Sequence, residues 1–160
     1  MNKRTLSVDR QQDDSADDAE AEWLPLVDCA DVEITSESAA HPIENAFESH
    51  SQLGWRADAP GEQTIRLKFN QPRAVRRVRV VIEERERART QQFTLRVAAR
   101  PGGPWREVAR QQFNFSPAGA TREQEDYRID WPAISALELT IVPDISGGDA
   151  RASLRQLRVA

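Results

Sequence analysis

The feature that most constrains the fold is a strict alternation of apolar and polar residues at positions 64–69. The apolar residues Ile65, Leu67 and Phe69 are separated by Arg66 and Lys68. Because successive side chains of a β-strand point to opposite faces, this pattern predicts a half-buried strand with its apolar face on a core.

The same period of two recurs in short segments along the rest of the chain. The segments with this pattern lie at residues 32–34, 75–82, 93–97, 105–108, 113–115, 127–131, 137–141 and 157–159. Turn residues separate them, and only residues 42–47 have a helical pattern, one turn long and starting at Pro42. Short strands at this spacing predict an all-β antiparallel sandwich or barrel rather than βαβ units.

Charge divides the chain into a tail and a body. Residues 1–22 contain three cations and seven acids, a net charge of −4, and the whole chain of 160 residues also has a net charge of −4. We therefore predict a disordered acidic tail at residues 1–22, with an acidic interaction arm as the alternative, and one folded domain at residues 23–160. The body has no net charge, so nucleic acid is not an expected partner.

Composition also limits the cellular context that we expect. No apolar run reaches the roughly 18 residues that a membrane span requires. Cys29 is the single cysteine, which excludes an intrachain disulfide and a cysteine-based zinc site. The polar N-terminal residues do not have the apolar stretch of a secretory signal, so a cytoplasmic location is predicted.

The order of several motifs then resembles one family. A polar segment at residues 35–38 is followed by the turn HPIENAF at 41–47 and by Trp55. The strand and turn GEQTIRLKFNQP at 61–72 comes next, and FTLRV at 93–97 precedes a glycine turn and Trp105. Across residues 30–160 this order resembles discoidin domains, also called coagulation factor 5/8 type C domains, which belong to the galactose-binding-like jelly rolls.

The resemblance implies a fold and a general kind of function. It implies an antiparallel jelly-roll β-sandwich of about eight strands. The loops at one end of such a domain would bind glycans, lipid head groups or protein surfaces, without catalysis. Glu48-Ser49 stands where many relatives have Asp-Gly near a structural calcium, so no calcium or other cofactor is expected.

Few residues suggest catalysis or metal binding. His41 and His50 are the only histidines, and a metal site would need further ligands that converge on them. No nucleophile elbow accompanies the serines, so we assign no catalytic residues and predict that the protein is not an enzyme. Trp55 could stack on a sugar, but its place in the resembling domains favours the core, and Trp105 and Trp131 are interpreted in the same way.

Two polar groups remain as candidates for ligand contact. The charged run at 83–89 is either a solvated connection or a source of arginine forks for carboxylates, phosphates or sulfated sugars. The amides at 91–92, 111–112 and 114 form either cross-strand ladders or hydrogen bonds to sugar hydroxyls. The predicted ligand-binding residues at one end of the sandwich are His41, Arg56, Arg89, Gln91 and Asn114.

The function predicted from the sequence is a non-catalytic binding module of the discoidin type. It would recognise a carbohydrate or a protein surface through loops that a rigid sandwich presents. The alternative is an intracellular interaction or scaffold domain without a small ligand. A hydrolase with an unrecognised site is a third hypothesis.

Overall fold

The computed structural model describes residues 23–48 and 51–160, together with the backbone of Lys3 and Arg4. These two residues form a short strand, β1 (Lys3–Arg4), which pairs with Tyr127 and Arg128. The rest of the predicted disordered tail, residues 1–22, lies outside the described residues.

Strands account for most of the described chain. The two short helices are α1 (Leu26–Cys29) and α2 (Glu44–Phe47). The remaining strands are β2 (Ala30–Ile34), β3 (Trp55–Pro60), β4 (Gln63–Glu83), β5 (Arg89–Ala98), β6 (Trp105–Phe115), β7 (Arg122–Val142), β8 (Arg151–Leu154) and β9 (Gln156–Val159). The helix predicted at residues 42–47 is present as α2, which starts at Glu44.

Antiparallel pairing joins these strands into a sandwich. The larger sheet has the strand order β2-β4-β7-β5-β6, and β9 pairs with the last part of β4. β3 and β8 form a separate two-stranded sheet. The fold class predicted from the sequence, an all-β antiparallel sandwich, is confirmed.

The two longest strands pass through both layers. β4 and β7 each contain 21 residues, and they pair with each other at both ends. The first part of β4 pairs with β2, whereas its last part pairs with β9. The register shifts between Lys68 and Arg77. The turn predicted at the end of the segment 61–72, which contains Pro72, is therefore an irregular bend within one long strand.

The core lies between the layers and follows the predicted alternation. Ile65 and Leu67 of β4 are fully buried, as are Phe93 and Leu95 of β5. Trp55 is 1% exposed, which confirms its prediction as a core residue.

Trp105 was wrongly predicted as a core residue. It lies on the outer face of β6, where the guanidinium carbon of Arg66 is 5.3 Å from its ring centroid. The reason is the two-residue period, which places Trp105 on the side of the strand opposite the buried Val108.

No helix among the described residues has the length and apolar character needed to cross a bilayer.

Candidate ligand-binding site

A cavity of about 200 Å³ opens at one end of the sandwich, which we name the loop end. The β4–β5 connection (84–88), the β6–β7 connection (116–121) and the β7–β8 connection (143–150) all leave the sheets there. The walls of this loop-end cavity come from His41 and from the segments 52–56, 83–86 and 153–155. Segments that are distant in the sequence therefore meet at one concave surface.

Gly54 allows the segment before β3 to reach β8. Its φ is 67°, and a Cβ at this position would lie 2.6 Å from the carbonyl oxygen of Leu154. Glycine alone accommodates both the positive φ and the close approach. The next residue, Trp55, is buried beneath the cavity, and its indole Nε1 donates a hydrogen bond to the carbonyl oxygen of Ser36 at 3.1 Å. Trp55 thus supplies an apolar floor.

Arg155 fixes one wall of the cavity. Its Nη1 donates to the carbonyl oxygen of Ser51, and its Nη2 donates to Oε1 of Gln52 at 2.9 Å. Its Nε lies 3.5 Å from Oε1 of Glu83. The same Glu83 oxygen accepts a hydrogen bond from Nη1 of Arg122 at 2.8 Å. The carboxylate of Glu83 is therefore held by arginines on two sides.

Arg89 supports the β4–β5 connection from below. Its side chain is 1% exposed, and its Nε donates to Oε1 of Glu84 at 2.9 Å. Its Nη1 donates to Oε1 of Gln91 at 3.0 Å and to the carbonyl oxygen of Pro143 at 2.6 Å. The other oxygen of Glu84 accepts the backbone N–H of Glu86 at 3.2 Å, which shapes the turn of the connection.

His41 and Arg56 stand side by side at the cavity. The backbone N–H of Arg56 donates to the carbonyl oxygen of His41 at 3.2 Å, and the backbone N–H of Ser38 donates to the carbonyl oxygen of Arg56 at 2.8 Å. His41 is half-buried, and its Nδ1 has no hydrogen-bond partner within the structure as described. The side chain of Arg56 is exposed.

The structure brings two of the five predicted ligand-binding residues together, His41 and Arg56. Arg89 and Gln91 are 5% and 0% exposed, and both belong to the hydrogen-bond network beneath the cavity. Asn114 lies on the edge strand β6, where its Oδ1 accepts a hydrogen bond from the hydroxyl of Thr90 at 2.7 Å. Of these five, His41 and Arg56 line the cavity.

Other residues that line the cavity had not been singled out. Leu53 places an exposed apolar side chain at the rim, 64% exposed, and Ser153 and Arg155 come from β8 and the residue that follows it. Arg85 had been noted only as part of the charged run. Ser153 and Arg155 had no signal in the sequence because β8 itself was not predicted.

A second concave surface of about 390 Å³ lies on the outer face of the sheet, and we name it the sheet-face groove. Arg66 and Glu138 face each other across β4 and β7, and Arg96 of β5 lies opposite Glu138 on the other side. Arg66 donates two hydrogen bonds to Oε2 of Glu138, at 2.9 and 2.6 Å. This hydrogen bonding to Glu138 raises the pKa of the Arg66 guanidinium.

Two exposed acids have altered ionisation. The hydrogen bond from Arg87 to Asp149, at 2.9 Å, lowers the pKa of that carboxyl from its ordinary value. The hydrogen bond from Lys68, also at 2.9 Å, lowers the pKa of Glu33 at the edge of the sheet-face groove. Within residues 23–48 and 51–160, no three His, Cys, Asp or Glu side chains are grouped as metal ligands would be.

Three solved structures with a similar fold are distant in sequence. Neither a protein-family model nor a curated protein matches the chain. The family 32 carbohydrate-binding module of AlyQ, solved in complex with 4,5-unsaturated mannuronic acid, is 17% identical with a TM-score of 0.60, over 82% of this chain and 95% of that one. A family 32 module from C. perfringens NanJ, solved with galactose, is 14% identical with a TM-score of 0.56, over 86% and 96% of the two chains.

A third similar structure is a pectin-binding carbohydrate-binding module. It is 13% identical with a TM-score of 0.58, over 82% of this chain and 89% of that one. At these identities the comparison concerns the fold alone, and it agrees with the jelly roll expected from the discoidin resemblance. The chain has the galactose-binding-like jelly-roll fold of family 32 carbohydrate-binding modules.

Proposed function

We propose that the protein is a non-catalytic carbohydrate-binding module whose ligand occupies the loop-end cavity. The observation that carries this proposal is the cavity itself, built by three distant segments at the loop end of a galactose-binding-like jelly roll. The similar modules of AlyQ and NanJ were solved with a sugar acid and with galactose, respectively. Their likeness supports a sugar as the ligand class here.

The side chains at the cavity match the two kinds of surface on a sugar. Leu53 at the rim is exposed and apolar, as the C–H face of a pyranose ring requires, whereas Trp55 is buried and only shapes the floor beneath it. His41, Arg56 and Ser153 provide nitrogen and hydroxyl groups for sugar hydroxyls.

The non-catalytic part of the proposal rests on the bonding of the carboxylates. Two acids of the cavity wall accept hydrogen bonds from arginines. Glu83 accepts one from Arg122, and Glu84 accepts one from Arg89. Carboxylates held by arginines in this way suit a structural role better than proton donation to a glycosidic oxygen.

A glycan array followed by isothermal titration calorimetry tests the proposal. We expect at least one saccharide to bind, and we expect His41→Ala and Arg56→Ala each to weaken that binding at least tenfold. Arg87→Gln is the matched control, because Arg87 lies on the same connection but bonds to Asp149 outside the cavity. Absence of binding to every saccharide would contradict the proposal and favour the interaction-domain alternative.

A further inference from the structure

We propose, as an extension of the proposed function, that the sugar bound in the loop-end cavity carries a negative charge, and that its charged group is the carboxylate of a uronic acid. A ligand at the cavity meets the charged groups that the wall and the layer directly behind it leave without a close partner.

The carboxylates of the wall are mostly turned toward arginines. Glu83 is bonded to Arg122 at 2.8 Å and approached by Arg155 at 3.5 Å. Glu84 is bonded to the buried guanidinium of Arg89 at 2.9 Å. These two acids therefore offer little free negative charge to a ligand, because their lone pairs and charge are directed to the supporting layer.

Two arginines of the wall are in the opposite situation. The side chain of Arg85 is 77% exposed, and its ion pair with Glu83 is long, at 3.5 Å. Arg56 is exposed at the cavity, and no carboxylate among the described residues lies within ion-pair distance of it. A guanidinium presents its N–H groups in a planar fork that matches a carboxylate, so a ligand carboxylate would find unused donors here.

The pairing of the lining acids points in the same direction. The lining contains three arginines (56, 85 and 155) and three glutamates (83, 84 and 86), so its formal charge is balanced. Two of these glutamates, Glu84 and Glu83, are paired from behind the wall by Arg89 and Arg122. The guanidinium groups that face the cavity therefore outnumber the lining carboxylates that lack an arginine partner behind the wall.

Calorimetry with matched ligands tests the proposal on the full-length protein. The probes are a galacturonate oligomer, the same oligomer as its methyl ester, a neutral galactose oligomer and a sulfated galactose oligomer. We expect the galacturonate oligomer to bind at least tenfold more tightly than its methyl ester, because the ester keeps the sugar and removes the charge. We also expect its binding to weaken as the salt concentration rises.

Variants connect this preference to the two arginines. We expect Arg56→Gln and Arg85→Gln each to reduce the preference for acid over ester, and the double variant to abolish it while weak binding of the ester remains. Arg87→Gln is the control and keeps the full preference. Thermal melting of every variant separates loss of binding from loss of folding.

The outcomes distinguish this inference from the proposed function. Equal affinity for the acid and its ester, or tighter binding of the sulfated oligomer than of the galacturonate, would overturn the assignment of a carboxylate. A loss of preference in Arg87→Gln as large as that in Arg56→Gln would overturn the assignment to these residues. If none of these probes and no saccharide of the array binds, the proposed function itself fails.

Discussion

The two concave surfaces of the molecule contain the same kinds of charged residue in different arrangements. In the sheet-face groove, the register of three neighbouring strands places Arg66 and Arg96 on either side of Glu138. In the loop-end cavity, Arg56 of β3 and Arg85 of the β4–β5 connection are both exposed. Two of the wall carboxylates, Glu83 and Glu84, are bonded to arginines behind the wall. In the groove, Arg66 is closely paired with Glu138 at 2.6 Å, whereas the cavity wall leaves Arg56 without a carboxylate partner among the described residues.

This difference shows why an arginine-rich surface is not in itself a binding surface. Strand pairing fixes the distance between opposite side chains, so charges of opposite sign placed across a ladder bond to each other. In the loop-end cavity, the ladder places the uncharged Ser153 opposite Arg56, and Arg85 lies in a connection where no ladder fixes a partner. The groove therefore contributes to stability, and the cavity is the better candidate for recognition.

The largest expected effect is on the free energy of unfolding, and it compares an arginine that supports the cavity with one that faces it. We expect Arg89→Leu to lower the free energy of unfolding by about 3–5 kcal/mol, because it leaves the buried Gln91, the carbonyl oxygen of Pro143 and the partly buried Glu84 without their donor. Urea denaturation measures the change.

The matched control for that experiment is Arg85→Leu, which changes an exposed side chain of the same connection. Its free energy of unfolding should stay within about 0.5 kcal/mol of the parent protein. Equal losses in the two variants would show that Arg85 and Arg89 contribute equally to stability, and would contradict a supporting role for Arg89 alone.

A smaller effect is expected in the sheet-face groove. Glu138→Gln removes the charge that pairs with Arg66 and Arg96, and we expect a loss of about 1–3 kcal/mol in the free energy of unfolding. Saccharide affinity should not change, since the groove and the cavity have no lining residue in common.

Glu107→Gln serves as the comparison for Glu138→Gln. Glu107 pairs with Arg110 on the exposed face of β6, so its loss should alter stability by less than about 1 kcal/mol. A fall in saccharide affinity in Glu138→Gln at full stability would mean that the groove, not the cavity, binds the ligand.

The smallest effect concerns pH. Hydrogen bonding to Arg87 lowers the pKa of Asp149 in the folded protein, so the folded state binds this proton less readily than the unfolded chain does. The stabilisation is present above the pKa of Asp149 in the unfolded chain, near 4, and is lost as the pH falls through the lower folded value.

A carboxyl-detected NMR titration of Asp149 measures this shift. We expect Arg87→Gln to return its pKa toward the ordinary value, while the lowered pKa of Glu33 stays unchanged because Glu33 is bonded to Lys68 and Arg66. An unshifted Asp149 in the parent protein would show that this ion pair does not persist in solution.

The sequence could predict the strands whose apolar residues are large. Ile65 and Leu67 in β4 and Phe93 and Leu95 in β5 alternate visibly, and the structure buries them all. The strands β3 and β8 were not predicted because small residues occupy buried positions in them. Ala57 and Ala152 are both fully buried, but alanine is common both in cores and on surfaces, so its position in a sequence does not indicate burial.

The site was harder to predict because burial of a polar residue depends on distant partners. Arg89 has the composition of an exposed loop residue, and it is buried because Pro143 and Glu84 satisfy its donors. His41 and Arg56 were both chosen from loop placement, but their contact depends on a backbone bridge that no periodicity indicates.

The passage of β4 and β7 through both layers has a consequence for how the molecule opens. Since the same two strands belong to each layer, neither layer can detach without breaking pairs in the other. Amide protons in both layers should therefore exchange through a single global unfolding event, whereas those of the β4–β5 connection should exchange by local fluctuation. The connections at the loop end can then change conformation around a ligand while the paired strands beneath them stay intact.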